Sequence, residues 1–168
     1  MTISLYAASI PTLIHTLKAL RVVLSKADAH AQATKVDGSV FLQGRLYPNM
    51  FPLVRQVQIA CDFAKGAGGR LAGIELPKFE DNEATFADLH GRIEKTIEFL
   101  ETIKPEQING QEARAIEIKA GPRTFNFTGQ DYLLTFVNPN FYFHVVTTYA
   151  ILRHFGVEVG KGDYLGAP

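Results

Sequence analysis

Two pairs of polar residues, each spaced four positions apart, mark where this chain could perform chemistry. Asn140 and His144 form one pair, and Gln58 and Asp62 form the other. Residues four apart share one face of a helix, so each pair would present its polar groups together. Imidazole, amide and carboxylate groups can hold a substrate, and imidazole also titrates near neutral pH and binds first-row metals. These four residues are therefore the candidate site residues.

The first candidate pair lies in a segment that carries the signals of both helix ends. Asn138 can cap the free amides, Pro139 suits the first helical position, and Gly156 can end a helix in the left-handed conformation. A long last helix over residues 138–156 is therefore predicted. Its stripe at three- and four-residue intervals includes His144, which should face the interior either as a functional group or as a hydrogen-bonded core residue. The stripe is Phe141, His144, Thr148, Ile151 and Phe155.

The second candidate pair lies in a predicted helix over residues 51–72. Gln58 and Asp62 flank an apolar seam that contains Val57 and Cys61. They could present an amide and a carboxylate to the same cavity, or they could form a solvated flank of the helix. Small residues in the second half of this helix favour close packing against a neighbouring helix.

Two further long helices and a connector are predicted from apolar spacing. The first helix runs to about residue 33 and begins near Ser9 with Pro11 in its first turn, or begins earlier and kinks at Pro11. Residues 36–49 form a connector with room for one short helical turn. A third helix starts at a capping box formed by Thr85 and Asp88 and ends before residue 105.

After the third predicted helix, the spacing of the apolar residues changes from three- and four-residue intervals to alternation with polar residues. Residues 116–128 alternate apolar and polar side chains on both sides of Gly121, which predicts a β-hairpin. A short helix over residues 132–137 should precede the break at Asn138, and residues 157–168 should form irregular surface chain. The predicted fold is mainly α: a four-helix bundle in one domain over residues 1–168, with the small hairpin inserted before the last long helix.

Composition argues against several functional classes. Lys plus Arg and Asp plus Glu balance at 17 each, so nucleic acid and membrane are not expected partners. The start lacks a signal-peptide pattern and no run of eighteen apolar residues occurs, which favours a soluble, cytoplasmic protein. The single cysteine, Cys61, cannot form an internal disulfide. No HExxH, Glu-x-x-His, Gly-rich phosphate loop or Gly-x-Ser-x-Gly motif is present.

Several segments together resemble a known family. They are SLY at residues 4–6, FPLVRQVQ at 51–58, DFAKG at 62–66, FED at 79–81, NFYFH at 140–144 and ILRHFGV at 151–157. They are similar to an uncharacterised bacterial family of unknown function within the DinB/YfiT-like superfamily of metalloenzymes, and the resemblance covers nearly the whole chain. It implies an up-down-down-up four-helix bundle, often dimeric, with a divalent metal held by three histidines. Some relatives are thiol transferases or thiol-dependent isomerases.

The three histidine positions of that superfamily are only partly kept here. The resemblance places the His-x3-His pair of the last helix on Asn140 and His144, and the third histidine near Gln58. Amides are weak ligands for zinc, nickel or iron(II), although Asp62 could add a carboxylate. We therefore expect a divalent metal, zinc or nickel, to bind weakly or not at all, with His144 as its candidate ligand.

The resulting functional prediction is an interior polar pocket that binds a small molecule. Its candidate residues are Gln58, Asp62, Asn140 and His144. If the protein is an enzyme, the resemblance implies a thiol-dependent transferase or isomerase with a degenerate metal site, in which His144 is the candidate catalytic residue. The alternative is a non-catalytic binding or structural homodimer in which the same residues form a core hydrogen-bond network.

Overall fold

The computed structural model describes residues 3–166, so the first two and last two residues of the predicted domain lie outside the described part. Four long helices dominate it, as predicted: α1 Ile10–Thr34, α3 Leu53–Ala72, α4 Phe86–Glu101 and α7 Asn138–His154. Pro11 occupies the first turn of α1, which confirms the first of the two expected arrangements. None of the described helices combines the length and apolar character that crossing a membrane requires.

Helix α3 lies at the centre of the packing, since it contacts both α4 and α7. Its small residues permit this closeness: a Cβ added at Gly68 would lie 2.6 Å from Cδ1 of Ile103 and 2.7 Å from Cδ2 of Leu100. The predicted capping box of α4 is present, with Thr85 accepting from the Asp88 amide and Asp88 accepting from the Thr85 amide. α1 packs against α4 on the far side of the core.

Short elements connect the long helices. They are α2 Gly38–Leu42, α5 Pro105–Ile108, β1 Ile116–Ala120, β2 Arg123–Phe127, α6 Gly129–Asp131 and α8 Lys161–Leu165. The predicted hairpin is confirmed: β1 and β2 are antiparallel, with Ile116 opposite Phe127. The ring of Phe127 packs 5.1 Å from the ring of Phe136, which places the hairpin against the turn of chain just before α7.

Helix α7 begins at Asn138 as predicted, but the predicted cap and break at that residue are absent. A π-helical segment, Tyr132–Val137, joins α6 to α7, so the helix continues without a break across Asn138, whose backbone is itself helical and whose side chain caps nothing. The Asn138 amide donates to the carbonyl of Leu133, five residues back. We attribute this to Pro139, because a proline ring clashes with the carbonyl four residues before it and the wider π turn moves that carbonyl aside.

The end of the last helix is as predicted, but the tail is not. Gly156 has a φ of +85°, and the amide of Val157 closes the helix end by donating to the carbonyl of Leu152 at 3.0 Å. The described tail is ordered rather than irregular, since Val157 and Val159 are buried and α8 packs on α1. The salt bridge of 2.7 Å from Lys26 to Asp163 ties α8 to α1.

Candidate functional site

His144 lies on the buried side of α7, as its position in the apolar stripe predicted. Only 8% of the residue is exposed, and its Nδ1 lies 2.7 Å from Oε1 of Gln56 on α3. Gln56 is 1% exposed, and its Nε2 donates to the backbone carbonyl of Phe51 at 3.0 Å. The imidazole is therefore anchored to the facing helix through one of its two nitrogens.

The second ring nitrogen of His144, Nε2, is in a different environment. Among residues 3–166, Nε2 has no hydrogen-bond partner, and the fully buried side-chain nitrogen and oxygen atoms without a partner are Nε of Arg92 and Nε of Arg114. Nε2 is not among those buried atoms, so it keeps some contact with solvent. Burial, together with the nearby charge of Arg55, lowers the pKa of His144 to about 4. The site therefore presents a neutral imidazole nitrogen at neutral pH.

Aromatic rings pack around the imidazole. The ring of Phe63 stacks on the imidazole at 6.0 Å with an interplanar angle of 18°, and Phe143 meets it edge-on at 5.2 Å. Phe136, from the π-helical segment, packs 5.6 Å from Phe63. Phe143 is 56% exposed, so one edge of this aromatic cluster faces solvent.

Gln58 and Asp62 face the other side of α3, toward α4 and the loop of residues 73–85. Oε1 of Gln58 accepts from Arg55 at 3.1 Å, and its Nε2 donates to Glu83 at 2.7 Å. Oδ1 of Asp62 lies 3.0 Å from Nη2 of Arg92 and 3.2 Å from the ammonium of Lys65. Both side chains therefore belong to a network of charges.

Arg92 is the centre of that network. Its side chain is 1% exposed, and Nη1 lies 3.0 Å from Asp81 and 2.9 Å from Glu83, in addition to the Nη2 contact with Asp62. Burial acts to lower the pKa of Arg92, but the hydrogen bond with Glu83 and the charges of Asp62 and Glu83 raise it overall. These contacts fasten the 73–85 loop to α4 beside a cleft of about 540 Å³ that His144 does not line.

The four predicted site residues are thus distributed over two regions. None of them donates to or accepts from another within the described part of the chain, and Nδ2 of Asn140 donates to the carbonyl of Phe136 at 2.7 Å. Arg55 links the regions, because it hydrogen-bonds both Gln58 and Asp81 and its charge reaches His144. That the four residues act as one site stays a prediction.

Sequence reasoning overlooked Gln56, Arg55 and Arg92. Arg92 interrupts an apolar stripe between Leu89 and Ile93, and Gln56 lies one turn after Leu53 among buried residues. A polar residue inside a buried stripe needs a partner, and that was the available signal.

Comparison with known proteins identifies the family. Residues 5–165 match the family model described as Domain of unknown function (DUF1993). The chain belongs to the DUF1993 family. This DUF1993 protein is also similar to a crystal structure described as a DinB family member protein from Shewanella denitrificans, with 41% identity, a TM-score of 0.88, and coverage of 98% of this chain and 93% of that one. No match was found among proteins of curated function.

These matches confirm two predictions from the sequence. The chain belongs to an uncharacterised DinB-like family, and its fold is a mainly helical DinB-like bundle with a small two-stranded hairpin. They assign no ligand or reaction to this DUF1993 protein.

The residues present do not fit a tightly bound divalent metal. Oε1 of Gln58 accepts from Arg55, and Oδ1 of Asp62 is shared by two cations that would compete with a metal. Asn140 offers only a neutral amide oxygen, which is a weak ligand for zinc or nickel. In the described ranges no group of three His, Cys, Asp or Glu side chains is placed to hold a metal ion. The expectation of weak or absent metal binding stays a prediction.

Cys61 is not placed to act as a nucleophile in this protein. It is fully buried on α3, and burial raises the pKa of its thiol to about 12. The thiolate that would be needed for attack is therefore negligible at neutral pH.

Proposed function

We propose that this DUF1993 protein binds a small molecule at the opening above His144. One observation carries the proposal: a neutral imidazole is anchored through Nδ1 and stacked on the ring of Phe63, near the charge of Arg55, and its Nε2 makes no hydrogen bond within the described residues. A pocket lined by apolar rings with a few polar groups is typical of small-molecule sites. Asn140, one turn before His144 on α7, would contact the distal part of the ligand, whereas Gln58 and Asp62 face the other side of α3 and would not.

The reaction class that accompanies this proposal is a thiol-dependent transfer or isomerisation, with the thiol supplied by the ligand because Cys61 is buried. A pKa of about 4 makes His144 a poor base for this step. Moving a proton from a thiol of pKa about 8.5 to such an imidazole is uphill by roughly 6 kcal/mol. We therefore assign His144 the role of acceptor for a hydrogen bond from the ligand. The thiol loses its proton to solvent, and we assign Arg55 the electrostatic stabilisation of the resulting thiolate.

A second candidate, from another class, is a non-catalytic homodimer whose polar residues serve the core. The network of Gln58, Glu83 and Arg92 supports it, because Glu83 accepts hydrogen bonds from both of the other side chains. Phe143 and Val146, three apart on α7, are exposed and could form a contact between two copies. In both candidates we propose a cytoplasmic homodimer.

A binding experiment separates the two candidates. Thermal shift and calorimetry with cysteine, glutathione and their S-methyl derivatives would be run on the native protein, on His144→Ala and on His154→Ala. His154 is an exposed histidine of the same helix and serves as the matched control. We expect at least one of these thiols to bind to the native protein and to His154→Ala, and we expect that binding to be lost in His144→Ala.

Two outcomes would contradict the proposal. Undiminished binding by His144→Ala would place the ligand elsewhere in the molecule. No binding of any probe by a native protein that light scattering shows to be a stable dimer would favour the structural homodimer.

A further inference from the structure

We propose that Gln56 is a positioning residue that holds His144 in the tautomer protonated on Nδ1, so that the lone pair of Nε2 faces the opening. This inference deepens the proposed function, on which its relevance to ligand binding rests. It assigns a role to a residue outside the predicted site, and it restricts the chemistry of the ligand.

The orientation of the Gln56 amide follows from its second contact. A backbone carbonyl can only accept a hydrogen bond, so the group 3.0 Å from the Phe51 carbonyl is the NH₂ end of the amide. The oxygen end therefore points to His144, where Oε1 lies 2.7 Å from Nδ1. An amide oxygen also can only accept, so Nδ1 must carry the proton.

The position of Gln56 makes this arrangement rigid. Gln56 lies in the first turn of α3, where its own amide donates to the carbonyl of Pro52 at 3.1 Å. Phe51 precedes the helix, so its carbonyl is not used by the helical ladder. Because Gln56 is only 1% exposed, water has little access to replace either contact. The turn that begins α3 thus sets the tautomer of a histidine 88 residues later in the chain.

The tautomer determines what the opening can bind. A neutral imidazole protonated on Nδ1 offers a hydrogen-bond acceptor at Nε2 and no donor. The ligand must therefore present an N–H, O–H or S–H group to His144, whereas a carboxylate or a thioether in that position would gain no hydrogen bond. The hydrogen bond from Nδ1 to Gln56 also fixes the orientation of the ring and therefore of its outward nitrogen.

Nitrogen NMR on protein labelled at its histidines tests the inference, because the two ring nitrogens have different shifts when protonated and unprotonated. We would compare the native protein with Gln56→Glu, which keeps an acceptor, and Gln56→Met, which removes it at similar length. We expect His144 to be protonated on Nδ1 in the native protein and in Gln56→Glu. In Gln56→Met the dominant tautomer should change or become mixed, while His154 stays unchanged in all three.

Each result bears on the inference. A native spectrum with His144 protonated on Nε2 would overturn it, and so would a folded Gln56→Met variant with the native tautomer. If Gln56→Met does not fold, Gln56→Asn, which is one methylene too short to reach both partners, replaces it with the same expectation. No ligand is present in this measurement, so failure of the proposed binding function would not change its outcome.

Discussion

The most quantitative prediction concerns Arg92→Met, which removes a buried charge and keeps most of the side-chain volume. Of the three carboxylates that Arg92 contacts, Asp62 and Asp81 are 40% and 43% exposed, whereas Glu83 is 7% exposed. Water can replace the guanidinium at the two exposed groups but not at Glu83. Removing one partner of a buried ion pair costs about 3–5 kcal/mol. Since Gln58 still donates to Glu83, we expect Arg92→Met to lower the free energy of unfolding by about 3 kcal/mol, near the lower end of that range.

Urea denaturation at pH 7 with comparison of m-values would measure this loss. Arg21→Met is the matched control, because Arg21 pairs with Glu94 on the surface and both side chains are more than one-third exposed. We expect the control to lose less than about 1 kcal/mol. A double variant, Arg92→Met with Glu83→Gln, should recover part of the loss because it removes the stranded charge. Losses for Arg92→Met and Arg21→Met that agree within error would refute this reasoning.

Two glycines and one histidine provide the remaining predictions. Gly68→Ala should destabilise the protein by about 1–3 kcal/mol, because the added Cβ overlaps Leu100 and Ile103. Gly91→Ala should stabilise α4 by about 0.5–1 kcal/mol, because no atom lies within 4 Å of the added carbon. Urea midpoints of the two variants that move in the same direction would contradict this. The folded pKa of His144, about 4, lies below its unfolded value of 6.5, so the unfolded state takes up the proton first. The contribution of His144 to stability should therefore be complete above pH 6.5 and decline as the pH falls toward 4, by up to about 3 kcal/mol. Parallel pH–stability curves for the native protein and His144→Ala would contradict this.

The sequence predicted the parts of the fold that local chemistry determines. The capping box of Thr85 and Asp88, the hairpin around Gly121 and the left-handed helix end at Gly156 depend on a few neighbouring residues, and each is present. At Asn138 the predicted start of α7 is correct, but the predicted cap and break are absent although their signals were also local. There the continuous helix was kept by a π-helical segment, which no capping pattern reveals.

The tail and the candidate site depend on contacts between distant residues. Spacing alone does not show that Asp163 reaches Lys26, which orders α8 against α1. The apolar stripe of the last helix predicted the burial of His144, but not that its partner would be Gln56 on α3. Periodicity assigns a residue to a helix face, whereas the identity of its partner depends on how two helices are rotated against each other.

Chemical modification of His144 tests most directly whether its Nε2 is neutral and open to small molecules. Diethyl pyrocarbonate acylates unprotonated imidazole, and mass spectrometry would give the rate at each histidine, with the exposed His154 as reference. We expect His144 to react, and its rate to stay constant from pH 7 to pH 5.5 while the rate at a histidine of ordinary pKa falls. A His144 that resists the reagent at both pH values in the folded protein would show that the imidazole is closed within the core and would contradict the proposed site.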